Sequence, residues 1–134
     1  MTNDWTCPVA RAARVLGDEC VLLVLRDLAP GPRHFGEFLG SACGNTRTLS
    51  ARLKRLTDLG LVERRPQGGR PPRVLYSLTP MGRHLLPAVD VLRAFGERWL
   101  PSGCDPLAGA AIHPGGEDAG AEGPAVGGSA VTVP

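Results

Sequence analysis

At 134 residues, with 43% hydrophobic residues and a formal net charge of +2, the chain is sized for one domain around one modest core. No apolar run approaches the roughly 20 residues that a membrane helix needs, and no basic-then-apolar leader precedes Cys7, so a cytoplasmic protein without membrane contact is expected. Cys7, Cys20, Cys43 and Cys104 form no C-x-x-C pair, and His34, His84 and His113 do not fall at zinc-ligand spacing. With no triad, phosphate loop or paired-carboxylate pattern either, the expectation is a non-enzyme with no metal and no cofactor.

Residues 1–6 read as a flexible start. Pro8 suits the first turn of a helix whose apolar side is Val9, Ala12, Ala13 and Leu16, and Gly17 stops it. Asp18 is placed to cap a second helix. There Val21, Leu22, Val24, Leu25 and Leu28 are nearly continuous, so this helix should be largely buried. Pro30-Gly31-Pro32 breaks it. Phe35, Phe38 and Leu39 then suggest a short supporting helix.

The most informative stretch is Asn45 to Leu78. It carries Arg47, Arg52, Lys54, Arg55, Arg64, Arg65, Arg70 and Arg73 against only Asp58 and Glu63, a local charge of +6 in a chain of +2. Such concentration points to a polyanionic partner. Leu49, Leu53 and Leu56 recur at helical spacing as one apolar stripe. At about 100° per residue, Arg47, Ala51, Lys54 and Asp58 fall opposite, with Thr48, Ser50, Arg52 and Arg55 on the flanks. Asn45 or Thr46 caps this helix and Gly60 ends it. Leu61 to Arg65 is a strand candidate, as is the segment holding Val74, Tyr76 and Leu78, while Pro66 to Pro72 is expected to be the loop between them. A capped basic helix followed by a hairpin with Arg70 at its tip is the order of a winged helix-turn-helix. The fold class expected is mainly α with a small β-hairpin. The DNA-reading residues it implies are Asn45, Arg47, Thr48, Ser50, Lys54, Arg55, Arg70 and Arg73.

Thr79-Pro80 resembles a cap and a first helical position. A last helix follows with Leu85, Leu86, Val89, Leu92, Phe95 and Trp99 apolar, and Pro87 should kink or divide it. So much apolar surface on a terminal helix needs a partner, and a second copy of the chain is the simplest. From Pro101 to Pro134 the chain is rich in Gly, Ala and Pro, lacks Lys and Arg, carries Asp105, Glu117, Asp118 and Glu122, and is expected to be a disordered acidic tail. It is either an inert extension or a weak competitor of DNA for the basic face.

Several segments carry a family resemblance. C-P-V-A-R-A at Cys7, L-L-V-L-R-D-L at Leu22, G-P-R-H-F-G-E-F at Gly31, T-L-S-A-R-L at Thr48, D-L-G-L-V-E-R-R at Asp58, P-P-R-V-L-Y-S-L-T at Pro71 and L-L-P-A-V-D-V-L-R-A-F-G-E-R-W at Leu85 resemble, in order, the HxlR-type family of bacterial transcriptional regulators. The resemblance covers most of residues 7–100 as one domain. It implies a homodimeric winged-helix DNA-binding protein, and the leading reading is a repressor that binds double-stranded DNA at an inverted-repeat operator. Its N- and C-terminal helices form the interface, here through Val9, Val89, Leu92, Phe95 and Trp99. Members of the family commonly have a cysteine at the place of Cys7, and some use it to sense oxidants or electrophiles.

Cys7 precedes a proline-started helix, where backbone N–H groups and the helix dipole favour a thiolate, and Arg11 lies one turn on. Cys43 lies just before the basic helix, so a bond involving Cys7 and Cys43 is one candidate for signalling. A buried interface role for Cys7 is the bland alternative. Where the family has a G-x-K-W pattern, this chain has Gly17-Asp18-Glu19-Cys20, and the missing ring leaves room for a side chain or a small-molecule ligand near Cys20. Two readings therefore compete with an oxidant-responsive DNA-binding regulator: a small-molecule sensor with a pocket at the dimer core, and a protein-interaction module without a DNA site.

Overall fold

Four of the α-helices each start at a capping side chain. In the computed structural model, which describes residues 5–38, 40, 45–103 and 105–108, the Cys7 sulfur accepts from Ala10 N ahead of helix α1, Pro8–Leu16. Asp18 accepts from Val21 N at 3.1 Å ahead of α2, Glu19–Leu28. Asn45 accepts from Thr48 N at 3.0 Å ahead of α3, Thr46–Asp58. Thr79 does the same for the single turn α4, Pro80–Arg83, through Gly82 N. Each cap satisfies an amide that its helix cannot. Past α3, Gly60 adopts φ +85°, the left-handed conformation that lets the chain leave the helix without a Cβ penalty.

The sheet has three antiparallel strands in the order β1 (Arg33–His34), β3 (Arg73–Leu78), β2 (Val62–Gln67). Its register pairs Val62 with Leu78, Arg64 with Tyr76 and Gln67 with Arg73 on one side, and His34 with Leu75 on the other. Phe35–Phe38 follows β1 as a turn of 3-10 helix. Strand β2 runs through Pro66 and Gln67, which were expected to be loop, because β2 is an edge strand, the one place in a sheet where a proline is tolerated. The strand at Arg33–His34 had no counterpart in the sequence reading, since two residues pairing across about forty leave no periodic signal.

The core is built from α2, α3 and the sheet. Val21, Val24, Leu25, Leu28, Phe38, Leu49, Leu53, Leu56 and Val62 are nearly or wholly sealed from solvent, joined by Cys20, Tyr76, Leu78 and Val89. The Leu49, Leu53 and Leu56 stripe is buried as its spacing requires, and Leu22 is only half-buried. Helix α5, Leu86–Trp99, is separated from α4 at His84–Leu85, with Pro87 in its first turn. The chain divides into two compact units between Val89 and Asp90, inside α5. Val89 is 8% exposed within the core of the first unit, so it packs inside its own chain and is not free to face a partner. In the second unit Val91, Leu92 and Phe95 are exposed, and the Arg98 guanidinium lies 4.9 Å from the ring centre of half-buried Trp99.

Candidate nucleic-acid interface

Burying the leucine stripe of α3 turns the opposite face outward. Arg47, Ser50, Ala51 and Lys54 are exposed along it, whereas Thr48 and Arg55 lie half-buried on the flank shared with Arg52. That flank meets α2. Arg52 Nε donates to Asp18 Oδ2 at 2.7 Å, joining the middle of α3 to the cap of α2. Burial pushes the Asp18 carboxyl up, but the Arg52 hydrogen bond, the Val21 N–H, the Arg52 charge and the Cys20 N–H together outweigh it and hold the group below its ordinary value. Arg52 is therefore a structural cation, while Arg47 on the outer face makes no ion pair or side-chain hydrogen bond with any described residue. Lys54 forms an exposed pair with Asp58 at 2.9 Å, and the Asn45 side chain is engaged as the cap.

Beside α3 stands the hairpin. Arg70 lies at its tip, next to Gly69 at φ +118°, a conformation glycine accepts and other residues resist. Arg70, Arg73 and Arg64 are exposed and, among the described residues, unpaired; Arg65 is tied to Glu63 at 2.7 Å. The hairpin is fixed to the body by Thr79, whose hydroxyl donates to Gly60 O at 2.6 Å, and by His34 Nδ1 against Val74 O at 3.1 Å. Between α3 and the hairpin opens a cleft of about 410 Å³, with Ser50, Lys54, Thr57, Asp58, Arg64 and Tyr76 in its wall. Arg64 and Tyr76 were absent from the site expected from sequence. The register that sets them side by side is the signal that would have found them.

Cys7 is a free thiol, half-buried at the start of α1. The Arg11 guanidinium, one turn on, donates to the Trp5 carbonyl at 2.6 Å. Cys20, read as a small core residue beside a possible cavity, is buried at 4% exposure and is disulfide-bonded. Cys43, Cys104 and the tail from residue 109 lie outside the described residues.

Helices α2 and α3 with the intervening 3-10 turn, followed by a β2–β3 hairpin, define a winged helix-turn-helix. The family model for the HxlR-like helix-turn-helix matches residues 15–103, and the chain belongs to that non-catalytic family of transcriptional regulators. An HTH-type transcriptional regulator of Mycobacterium tuberculosis is 40% identical over 93 residues, 69% of this chain and 59% of that relative, so the match spans less than two thirds of the relative's length. An HTH-type transcriptional regulator of Synechocystis sp. is 37% identical over 95 residues, 70% of each chain. Among solved structures, the redox regulator HypR is similar in its reduced form with a TM-score of 0.63 at 32% identity, covering 68% of this chain and 91% of that one. Its oxidised form gives 0.64 at 33%, covering 74% and 99%. Among the described residues no helix is long and apolar enough to cross a membrane.

Proposed function

We propose that the chain is a sequence-specific DNA-binding regulator that lays α3 in the major groove and the hairpin tip against the flanking backbone. The observation that carries this reading is the set of exposed cations, unpaired among the described residues, aligned on one helix face and one wing, Arg47 with Arg70 and Arg73. A major groove admits such a helix, and Arg or Lys there donates to guanine. A module that bound only protein would not need this alignment. Arg47 is the base-side candidate on the outer face it shares with Ser50 and Lys54, Asn45 and Thr48 lie at the helix start, and Arg55, Arg70 and Arg73 are backbone candidates.

A homodimer on an inverted repeat follows, with half-sites about 34–36 Å apart or a small multiple of that. Val9 at 74% exposure, Leu92 at 47% and Phe95 at 52% are the apolar side chains that support it. Occupying such a site beside a promoter makes the protein a repressor. The test is binding to promoter fragments of its own genome: replacing Arg47 and Lys54 together with Ala must abolish sequence preference, and wild-type binding by that double variant would sink the assignment.

A thiol-based response is the reading of regulation with the most support. Cys7 is free and caps α1, and the similar HypR is a redox regulator known in reduced and oxidised forms. Oxidant changes operator affinity in wild type and not in Cys7→Ser. Equal affinity in diamide and reductant, with Cys7 shown by mass to be modified, excludes it. A ligand pocket beside Cys20 has less to recommend it, since that residue is sealed in the core and already bonded.

A further inference from the structure

We propose that the cleft between α3 and the β2–β3 hairpin seats one backbone phosphate of bound duplex DNA, with Arg64, Lys54 and the hydroxyls of Ser50 and Tyr76 as its donors. The proposal rests on the DNA-binding reading and adds to it a phosphate site, apart from the wing tip, that joins Ser50 and Lys54 of the outer face of α3 to Arg64 and Tyr76 of the hairpin.

Tyr76 is its centre. The residue is 9% exposed, and its ring is held edge-on by Phe38 at a centroid distance of 6.2 Å and an interplanar angle of 72°. A buried tyrosine hydroxyl ordinarily finds a hydrogen-bond partner, because leaving it without one costs the desolvation of a polar group. The Tyr76 hydroxyl has none among the described residues, and Tyr76 forms part of the cleft wall. Arg64 sits directly across from it in the antiparallel register, so both side chains project from the same face of the sheet, toward α3. Arg64 is exposed and has no partner among the described residues.

The opposite wall completes the chemistry. Ser50 and Lys54 bring a hydroxyl and an ammonium group from consecutive turns of α3. The Thr57 hydroxyl is already donating to Leu53 O at 2.7 Å, which leaves it out of the donor set. Asp58 also lines the cleft, and Lys54 neutralises it at 2.9 Å. Both members of that pair are well exposed, at 76% and 63%, so exchanging one contact for another costs little. With Lys54 and Arg64 against Asp58, the wall carries one net positive charge, the complement of a phosphodiester. Donors outnumber free acceptors, which selects an oxyanion over a neutral ligand.

The test uses the full chain and a short fluorescein-labelled duplex of random sequence, followed by anisotropy over a range of salt. Tyr76→Phe keeps the ring and removes only the hydroxyl; Arg64→Gln removes only the charge. Tyr76→Phe weakens binding about tenfold with an unchanged salt slope, as loss of a neutral donor to a charged acceptor requires. Arg64→Gln makes the slope shallower by about one unit, the signature of one lost phosphate contact. The double variant loses less than the sum of the two, since both act on one phosphate. Unchanged thermal melting of each variant separates these losses from misfolding. If wild type binds the duplex and both variants match it in affinity and slope, the cleft assignment fails while the DNA-binding reading stands. If wild type itself does not bind, the DNA-binding reading fails and takes the proposal with it. A parallel titration with inorganic phosphate distinguishes the source. Phosphate-dependent stabilisation lost in both variants, with duplex binding intact, would make the cleft a free-anion site and overturn the proposal.

Discussion

Removing the Asp18 carboxylate should loosen the joint between α2 and the recognition helix, and its two roles can be separated. Asp18 caps α2 through Val21 N at 3.1 Å and holds Arg52 Nε of α3 at 2.7 Å. Loss of an Asp cap costs about 1 kcal/mol. The ion pair is 27% and 22% exposed at its two side chains, so solvent screens it only in part and it contributes about 0.5–1 kcal/mol. Asp18→Ala, which loses both, should destabilise by about 1–2 kcal/mol, a fall of roughly 5–10 °C in Tm for a domain of this size. Asp18→Asn keeps a good cap and should cost only the pair.

The pair itself is read from a double-mutant cycle of Asp18→Asn and Arg52→Gln in urea, at one fixed protein concentration so that subunit association does not enter. The pH dependence gives an independent check. The folded-state pKa of Asp18 is lowered from 3.8, so the folded state binds fewer protons than the unfolded one around that value. The stabilisation is fully present well above 3.8 and is lost as pH falls through the lowered folded value. Coupling of about 0.5–1 kcal/mol at neutral pH that vanishes in acid supports the joint. A coupling indistinguishable from zero at neutral pH, or one that survives in acid, would refute the reasoning.

Three further outcomes follow from the packing. Gly82 is buried, and a Cβ there would collide with the Leu61 carbonyl, so Gly82→Ala should lower stability by about 1–3 kcal/mol, a loss that outweighs the helix propensity alanine brings; an unchanged urea midpoint would contradict it. Leu92→Asp should give monomers by sedimentation while retaining the folded far-ultraviolet spectrum, whereas Val89→Asp, placed in the core, should unfold the chain; an intact Leu92→Asp dimer removes this surface from the interface. Arg70→Ala should weaken duplex binding and reduce the salt slope by about one unit, and an unaltered slope puts the wing tip away from phosphate.

Much of this architecture was legible because the sequence writes it locally. Asn45, Asp18 and Thr79 are caps by residue type and position, and the spacing of Leu49, Leu53 and Leu56 alone decides which face of α3 is buried. What escaped was non-local. The Arg33–His34 strand exists only through its pairing with β3, and Pro66 joins a strand only because that strand is an edge. Val89 fits the apolar period of α5, yet period cannot say whether a residue meets its own core or another subunit. Arg64 and Tyr76 read as ordinary strand residues until register sets them opposite each other.

The same distinction governs the positive charge. Local excess identifies the stretch from Asn45 to Leu78, but charge in sequence does not equal charge available to a partner. Arg52 is committed to Asp18, Arg65 to Glu63 and Lys54 in part to Asp58. Arg47, Arg64, Arg70 and Arg73 remain exposed and unpaired among the described residues. These four lie on the outer face of α3 and along the hairpin, whereas Arg52 lies on the flank that holds α3 to α2. Neutralising Arg52 should therefore cost stability and leave the salt slope of duplex binding unchanged, while neutralising Arg64 should do the reverse. The two substitutions remove the same formal charge from the same basic stretch. A common effect of both would mean that net charge alone governs binding, and that the partition imposed by the fold does not.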